Sequence, residues 1–471
     1  MQQREADITI IGTGTAGMAA YKAAKKSGQR VIVIEGGAYG TTCARVGCMP
    51  SKLLIAAAEN AHQFKKAEEF GIHLTAGYRI DGQQVMQRVR SERDRFAGAA
   101  TDAVLNWPEE DRLRGYARFI DANTLETDTG FRIHTRTTII ATGSSPFIPT
   151  PFQEAGDRLI CNEDLFDFDS LPDSVAVFGP GVIGLELGQA LHRLGVRVRL
   201  FGRGGSIGPL QDNKIRDLAR EIFNQEFSLL DDAQVKTIQR SNQGVDICFV
   251  DQQGQECRES YDYLLAATGR RPNLESLNLE VLDLQLEPQG SPKTDPQTGQ
   301  LYLKSGKAAP IFMAGDVQNY RPLLHEANDE GHIAGQNAAS WPDVHSVSRR
   351  TPLAVVFTDP QMALVGDTLP ELQERLGAEN LVIGEVSFRN QGRSRVLLVN
   401  KGLLRVYANK ESGVLLGAEM LGPAAEHLAH LLAWSIQQQL SVPQLLDLPF
   451  YHPVIEEGLR SALRSAAAQL D

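Results

Sequence analysis

Cys43 and Cys48 are separated by four residues, with Lys52 one helical turn further on, in the run Thr42-Cys43-Ala44-Arg45-Val46-Gly47-Cys48-Met49-Pro50-Ser51-Lys52. Two thiols at this spacing can cycle between dithiol and disulfide if a neighbouring group takes or supplies two electrons. Taken alone, two cysteines at this spacing are more often unpaired than redox-active. The residues just before them change that balance. Ile8-Thr9-Ile10-Ile11 reads as a buried strand, Gly12-x-Gly14-x-x-Gly17 opens an Ala-rich helix running to about Ser27, and Val31-Ile32-Val33-Ile34 is a second strand ending in Glu35. Glycines at these positions allow a tight turn and close approach of the backbone to a pyrophosphate, and the helix start offers it unpaired N–H groups. Glu35 stands where an acid accepts hydrogen bonds from ribose hydroxyls. Pro50 suits the first turn of a helix continuing through Leu54, and a thiolate at Cys48 near that helix start is expected to have a lowered pKa.

The pattern recurs. Ser174-Val175-Ala176-Val177-Phe178 leads into Gly179-Pro180-Gly181-Val182-Ile183-Gly184, a helix through about Leu194 and a returning strand Val196 to Phe201. Here Gly202-Arg203 replaces the acid. An arginine at this point pairs with a 2′-phosphate or stands solvated in a loop; both readings are open. Placing an acid at 202 is expected to favour the unphosphorylated nucleotide.

Other segments mark where each nucleotide unit closes. Thr138 to Pro146, with Thr142 and Gly143, and Leu264 to Asn273, with Gly269, are apolar strands leaving through small residues. Pro310 to Asp316 is a further buried strand ending in an acid. From about Trp341 the pattern shifts to alternating strands such as Leu403 to Ala408 and a helix from about Ala424 to Gln439, which marks a separate C-terminal domain. Glu287 to Thr298 reads as a surface loop. In Tyr451-His452-Pro453-Val454-Ile455-Glu456-Glu457, the proline holds His452 extended and Glu457 is placed to orient its imidazole, an arrangement suited to a base in thiol exchange.

Composition sets the boundaries. A chain of 471 residues, 42% hydrophobic and of net charge -11, has length for about three domains and no attraction for nucleic acid. The absence of a long apolar run or leader leads us to expect a soluble cytoplasmic protein with no membrane partner. Five scattered cysteines do not make a structural disulfide framework. No metal site is expected.

The order of first fingerprint, Cys-x4-Cys-x-Pro-Ser-Lys, Ala-Thr-Gly, second fingerprint, Ala-Thr-Gly-Arg-Arg-Pro-Asn, Ala-Gly-Asp and terminal His-Pro resembles the pyridine nucleotide-disulfide oxidoreductases over nearly the whole chain. The dihydrolipoamide dehydrogenase branch is most similar, and glutathione reductase is its near relative. The resemblance implies an α/β fold with two Rossmann-like dinucleotide-binding domains and a C-terminal α+β dimerisation domain. The spans are 1–150 for FAD, 151–270 for NAD(P), 271–340 completing the FAD domain, and 341–471 for dimerisation. It implies FAD at Gly12, Gly14, Gly17, Glu35, Lys52, Thr142, Gly143 and Asp316, the last on the ribityl chain. It implies NAD(P) at Gly179, Gly181, Gly184, Glu186, Arg203 and Gly269.

By the same resemblance Cys48 faces the flavin, Cys43 exchanges with a dithiol or disulfide substrate, and Lys52 pairs with Glu186 beside the flavin. His452 with Glu457 serves the partner subunit of a homodimer. Read without it, Lys52 is a helix-surface lysine, Glu186 an exposed acid favoured by the helix dipole, and Asp316 a strand-end acid. Electrons pass from substrate through Cys43 and Cys48 to flavin and nicotinamide; a glutathione-type reductase runs the steps backwards with NADPH. A 2-oxoacid dehydrogenase complex is a partner this resemblance admits. A rival reading is a redox-sensing flavoprotein without turnover, against which Lys52, Glu186, His452 and Glu457 speak together.

The chain departs from the family at two places. Ala44-Arg45 stands where Leu-Asn or a similar pair is usual, and the added cation is expected to depress the pKa of Cys43 or to select an anionic substrate. The missing acid after Phe201 leans toward NADP, against the NAD preference of dihydrolipoamide dehydrogenases. The last residues carry no extra cysteine pair, unlike mercuric reductase and the larger thioredoxin reductases.

Overall fold

Runs of β-branched residues with no charge, such as Ile8 to Ile11 and Val31 to Ile34, suit strands covered on both faces, and such strands pair in parallel. In the computed structural model, which describes residues 1–73, 77–251 and 253–470, they do so in both of two units. The first unit comprises Met1–Leu53, Arg88–Phe147 and Gly269–Arg349; the second comprises Leu54–Gln87, Ile148–Thr268 and the chain from Arg350 on. The segment 54–87 therefore packs with the second unit, although it lies within the span 1–150.

The first unit is built on a sheet whose strands run in the order Gln300–Tyr302, Ala308–Met313, Phe131–Ile140, Gln2–Ile11, Val31–Glu35, Arg112–Arg114, with a hairpin of Ala117–Asp121 and Thr124–Thr127 whose second strand pairs antiparallel with the start of Phe131–Ile140. Gln2–Ile11 pairs in parallel with Val31–Glu35 on one side and Phe131–Ile140 on the other. The chain order thus reverses at the first strand, the position at whose carboxyl end such sheets bind ligands, and Gly12 follows it. The helix Thr15–Lys25 lies against the helix Leu324–Ser340.

The second unit repeats the plan. Its parallel sheet runs Ser228–Leu230, Arg197–Phe201, Ser174–Phe178, Tyr263–Ala266, Leu159–Ile160, so the switch again falls at the strand that precedes the glycines. An antiparallel ribbon of three strands, Gln234–Arg240, Val245–Val250 and Glu256–Tyr261, packs beside it. A five-stranded antiparallel sheet of Leu353–Val356, Gln361–Gly366, Leu415–Gly422, Leu403–Asn409 and Leu381–Ser387 forms the C-terminal region. The helices Ala425–Gln437 and Glu457–Ala467 cover it and share its core of Val406, Ala418, Leu428, Leu432, Ala462 and Leu463. Among the described residues no helix is long and apolar enough to cross a membrane.

Candidate active site

The first fingerprint is shaped by close backbone packing. Gly12 has φ +108°, and a Cβ there would meet the Ala141 carbonyl oxygen at 2.4 Å; at Gly17 it would meet the Gly12 oxygen at 2.0 Å. At Gly14 nothing lies within 4 Å. The outer two glycines therefore close the turn, and the middle one leaves backbone open to a phosphate at the start of Thr15–Lys25. Glu35 ends its strand with one carboxylate oxygen accepting from the N–H and Oγ1 of Thr13, each at 2.8 Å, and the other accepting from Gly37 N at 2.8 Å.

Beyond the sheet, the two strand exits are tied together. Ser144–Pro146 pairs antiparallel with Arg270–Pro272. Thr142 Oγ1 donates to the Asn273 carbonyl at 2.7 Å, Asn273 Nδ2 donates to the Thr142 carbonyl at 2.9 Å, and Asn273 N donates to the Gly143 carbonyl at 3.0 Å. Ser144 Oγ donates to Asp316 Oδ2 at 3.0 Å and receives Arg270 Nε at 2.9 Å. Thr142, Gly143, Asp316 and Gly269 are thereby brought to one edge of the first unit.

Cys48 begins the helix Cys48–Lys66, placing Pro50 in its first turn. Cys43 lies in the short preceding helix Thr42–Val46, capped by Thr41 Oγ1, which accepts from Ala44 N at 3.1 Å. Both are thiols. The hydrogen bond with Cys48, then burial, raises the Cys43 thiol far above the ordinary range, while the Lys52 charge works in the opposite direction. The expected depression of Cys43 is corrected, since its thiol is raised; Arg45 Nη1 donates to the Ala38 carbonyl at 3.3 Å.

In the second fingerprint Gly179 and Gly184 repeat the outer contacts, at 2.3 Å to the Ala267 oxygen and 1.9 Å to the Gly179 oxygen, and Gly181 is open. Glu186 is not the exposed acid that helix-dipole reasoning allows. It is 4% exposed, and its Oε1 accepts from Phe357 N at 2.9 Å. Gln189 and Arg193, further along the same face and equally buried, join Glu226 and the Asp359 segment. Gln189 Nε2 donates to Glu226 at 2.9 Å and to the Asp359 carbonyl at 2.8 Å, while Arg193 binds Glu226 at 2.5 Å and Asp359 at 3.0 Å. Arg203 is exposed in a loop. Gly202 lacks more than an acid: a Cβ there would lie 2.6 Å from the Asp231 carbonyl oxygen and 2.7 Å from Pro180 Cγ. Placing glutamate at 202 thus displaces backbone, and it cannot serve as a clean test of nucleotide preference.

His452 is exposed, and its Nδ1 reaches both carboxylate oxygens of Glu457, at 3.0 and 3.1 Å. A proton on Nδ1 donated to the carboxylate leaves Nε2 free to accept one. The hydrogen bond to His452 holds the Glu457 carboxyl below its usual range.

Some contributors carry no sequence signal. Glu330 receives Gly315 N at 2.7 Å and is paired with Arg349 at 2.9 Å, so it fixes the turn that presents Asp316. Its partner amide lies fifteen positions away, and no local pattern announces the contact. Asn273 closes the Ala-Thr-Gly-Arg-Arg-Pro-Asn motif, but its pairing with Thr142 depends on two strand exits meeting.

Family models place the chain. The pyridine nucleotide-disulphide oxidoreductase model matches residues 6–331, and that family's dimerisation domain matches residues 353–463. The chain belongs to this family, and it is a flavoenzyme that joins FAD, a redox-active dithiol and a nicotinamide nucleotide. It is 30% identical over 469 residues to a dihydrolipoyl dehydrogenase of Thermus scotoductus, covering 98% of both chains. Against that of Geobacillus stearothermophilus it is 29% identical over 457 residues, 96% of this chain and 94% of that one. The crystal structure of LpdA from Mycobacterium tuberculosis matches with a TM-score of 0.81 at 25% identity, covering 98% of this chain and 99% of that one. The HOCl-induced flavoprotein disulfide reductase RclA from Escherichia coli shares the fold, with a TM-score of 0.80 at 22% identity over 99% of this chain and 100% of that one.

Proposed function

We propose that the protein oxidises a dihydrolipoamide-type dithiol, with Cys43 and Cys48 as its exchanging pair. The observation that carries this reading is the hydrogen-bonded pair at the head of Cys48–Lys66, in the unit that holds the first fingerprint. Residues 1–150 with 271–340 serve FAD, 151–270 the nicotinamide nucleotide, and 341–471 dimerisation. FAD rests on Gly12, Gly14, Gly17, Glu35, Thr142, Gly143 and Asp316, with Lys52 and Glu186 as the charged groups toward its ring. The open backbone at Gly14 fits it. The nucleotide rests on Gly179, Gly181, Gly184, Arg203 and Gly269.

The protein's own residues handle thiols and protons. His452 Nε2 takes a proton from one substrate thiol, with Glu457 stabilising the charge that results. The substrate thiolate attacks Cys43 Sγ of the oxidised pair, the Cys43–Cys48 bond breaks, and Cys48 leaves as a thiolate. The second substrate thiol attacks the mixed disulfide at the substrate sulfur and its proton passes to the departing Cys43 sulfur, so disulfide product is released, Cys43 is left as a thiol and the first proton stays on His452. Bound FAD supplies the route by which the two electrons leave for the nicotinamide nucleotide.

A homodimer follows from the dimerisation domain and would let each His452 serve the other protomer's cysteines. A cytoplasmic site suits thiols that must return to the reduced state. Association with a 2-oxoacid dehydrogenase complex is the corresponding partner, to be sought by co-purification.

The deciding experiment assays purified protein with lipoamide, glutathione disulfide and small disulfides, each with NADH and NADPH. Cys48→Ser is expected to keep FAD and lose disulfide turnover; undiminished turnover ends the proposal. His452→Gln is expected to lose exchange by about 10²–10⁴-fold while nucleotide still reduces the flavin. Mixing it with Cys43→Ser restores activity if sites are shared between protomers. A second reading, an NADPH-dependent reductase of glutathione reductase type, is favoured by Arg203 and the crowded Gly202. NADPH-driven reduction of glutathione disulfide without lipoamide turnover would select it.

A further inference from the structure

Three neighbouring strands of the antiparallel sheet place charges in a single row. Glu385 is paired in register with Arg405, and Arg405 with Glu419. Charges so placed in a sheet with a buried face require partners. The partners come from the second nucleotide half. Glu419 is 1% exposed, and its Oε2 accepts from the backbone N–H of Gln211 at 2.8 Å and of Asp212 at 3.0 Å. Asp212, 2% exposed, caps the helix Asn213–Asn224 by accepting from Lys214 N at 2.9 Å, and also receives Arg405 and the Tyr407 hydroxyl, the latter at 3.0 Å. Lys214 Nζ reaches Glu385 at 2.6 Å.

The segment held in this way is the return leg of the loop that begins Gly202-Arg203-Gly204-Gly205. It contains four glycines from 202 to 208 and no helix or strand, so its backbone has little order of its own, and its buried side chains are Ile207 and Leu210. Its fastenings are external. Gly204 N donates to Asp232 Oδ1 at 2.8 Å, and Gly208 N donates at 2.6 Å to the carbonyl of Pro180, inside the second fingerprint. Beyond Gly208, Leu210 is buried, and the next hydrogen bonds to another segment are those of Gln211 and Asp212 to Glu419.

We propose that Glu419 is a positioning residue for the nicotinamide nucleotide: with Asp212, Arg405 and Tyr407 it sets the loop 202–212 against the second fingerprint, so the dimerisation-domain sheet governs nucleotide affinity. The proposal rests on the second fingerprint being the nucleotide site. Burial lifts the Glu419 carboxyl above its usual range, and the two N–H groups act against that shift.

The test titrates NADPH and NADH separately into the holoenzyme by fluorescence, for wild type, Glu419→Gln, Glu419→Ala and Tyr407→Phe. Glu419→Ala is expected to raise the Kd of the preferred nucleotide about tenfold, with kcat at saturating nucleotide and FAD content unchanged. Glu419→Gln keeps an acceptor and should stay within about twofold, and Tyr407→Phe should raise Kd about threefold. Wild-type Kd in Glu419→Ala and Tyr407→Phe overturns the proposal, even if amide exchange at 208–216 quickens. Should Glu419→Ala not fold, Tyr407→Phe decides alone. A wild-type protein that binds neither nucleotide overturns instead the reading of the second fingerprint.

Discussion

In the first fingerprint Gly12 N–H bonds the Ile34 carbonyl at 2.8 Å and Ala141 N–H bonds the Ile11 carbonyl at 2.9 Å; in the second, Gly179 bonds Phe201 at 2.8 Å and Ala267 bonds Phe178 at 2.7 Å. The backbones correspond residue for residue, which sets Glu35 opposite Gly202. What stands behind each helix differs. Thr15–Lys25 is pressed against Leu324–Ser340 through glycines: a Cβ at Gly331 would lie 2.1 Å from the Ala16 oxygen, and one at Gly335 2.5 Å from the Ala20 oxygen. Val182–Arg193 instead buries Glu186, Gln189 and Arg193, each bonded to a neighbouring segment. One scaffold is therefore backed by shape and the other by charge and hydrogen bonds, so the first should be sensitive to volume and the second to polarity.

The largest expected effect is at the polar backing. Arg193→Met leaves Glu226 without its cation and Asp359 with Lys66 alone, at 3.7 Å, and should cost about 3–5 kcal/mol, read by denaturant unfolding with amide exchange localising the loss to the second unit. Loss spread evenly over both units would dissolve the contrast. Next comes the steric backing. Gly331→Ala must push its helix away from Thr15–Lys25 and is expected to cost about 1–3 kcal/mol and to weaken FAD retention. Gly188→Ala on the second helix, where a Cβ meets its nearest neighbour, Leu200 Cδ1, only at 3.5 Å, should be close to neutral. Equal losses at 331 and 188 would show that shape does not distinguish the two.

Arg203→Ala probes the Glu35/Gly202 difference. It should shift the ratio of NADPH to NADH efficiency toward NADH by about tenfold; an unchanged ratio makes Arg203 a solvated loop residue.

The smallest effect is with pH. Burial raises Glu226 and Asp359, but Arg193 outweighs it and both sit below the usual carboxylate range. Burial, then Arg193 and Lys66, push His62 down from 6.5 to about 4. Folded values depressed in this way contribute stability that is complete above the unfolded values and is lost as pH falls toward the folded ones. For His62 the window is 6.5 to about 4. Glu330 in the first unit is raised by burial, so its contribution is present at low pH and lost as pH rises through its folded value. On going from pH 7 to pH 5, protection of the amides, taken relative to their intrinsic exchange rates at each pH, should therefore fall at 182–193 more than at 324–340, and the reverse order would contradict the polar-versus-steric division.

Much of the scaffold was legible in the chain. Ser174–Phe178 and Val31–Glu35 carry apolar runs and form strands at those bounds, and the helices Thr15–Lys25 and Val182–Arg193 start directly after the middle glycine of each fingerprint. Cys48 at a helix start and the His452–Glu457 hydrogen bond were also within reach, because their partners lie a few residues away. Arg45 shows the limit of such local reasoning: adjacency in sequence suggests an effect on Cys43, whereas the hydrogen bond to Cys48 governs it.

Sequence alone determined the two fingerprints, the thiol pair and the order of the motifs, since local periodicity and spacing encode turns, helix starts and strand runs. Only the tertiary structure decided that Gly202 cannot bear a side chain, that Glu186 is buried, that Glu330 fixes the Asp316 turn, and that Glu385, Arg405 and Glu419 form one row over Asp212. Each of these depends on strand register or on segments meeting from distant regions of the chain. A residue's neighbours across a sheet follow from pairing and closure of the whole fold, and no window of sequence contains them.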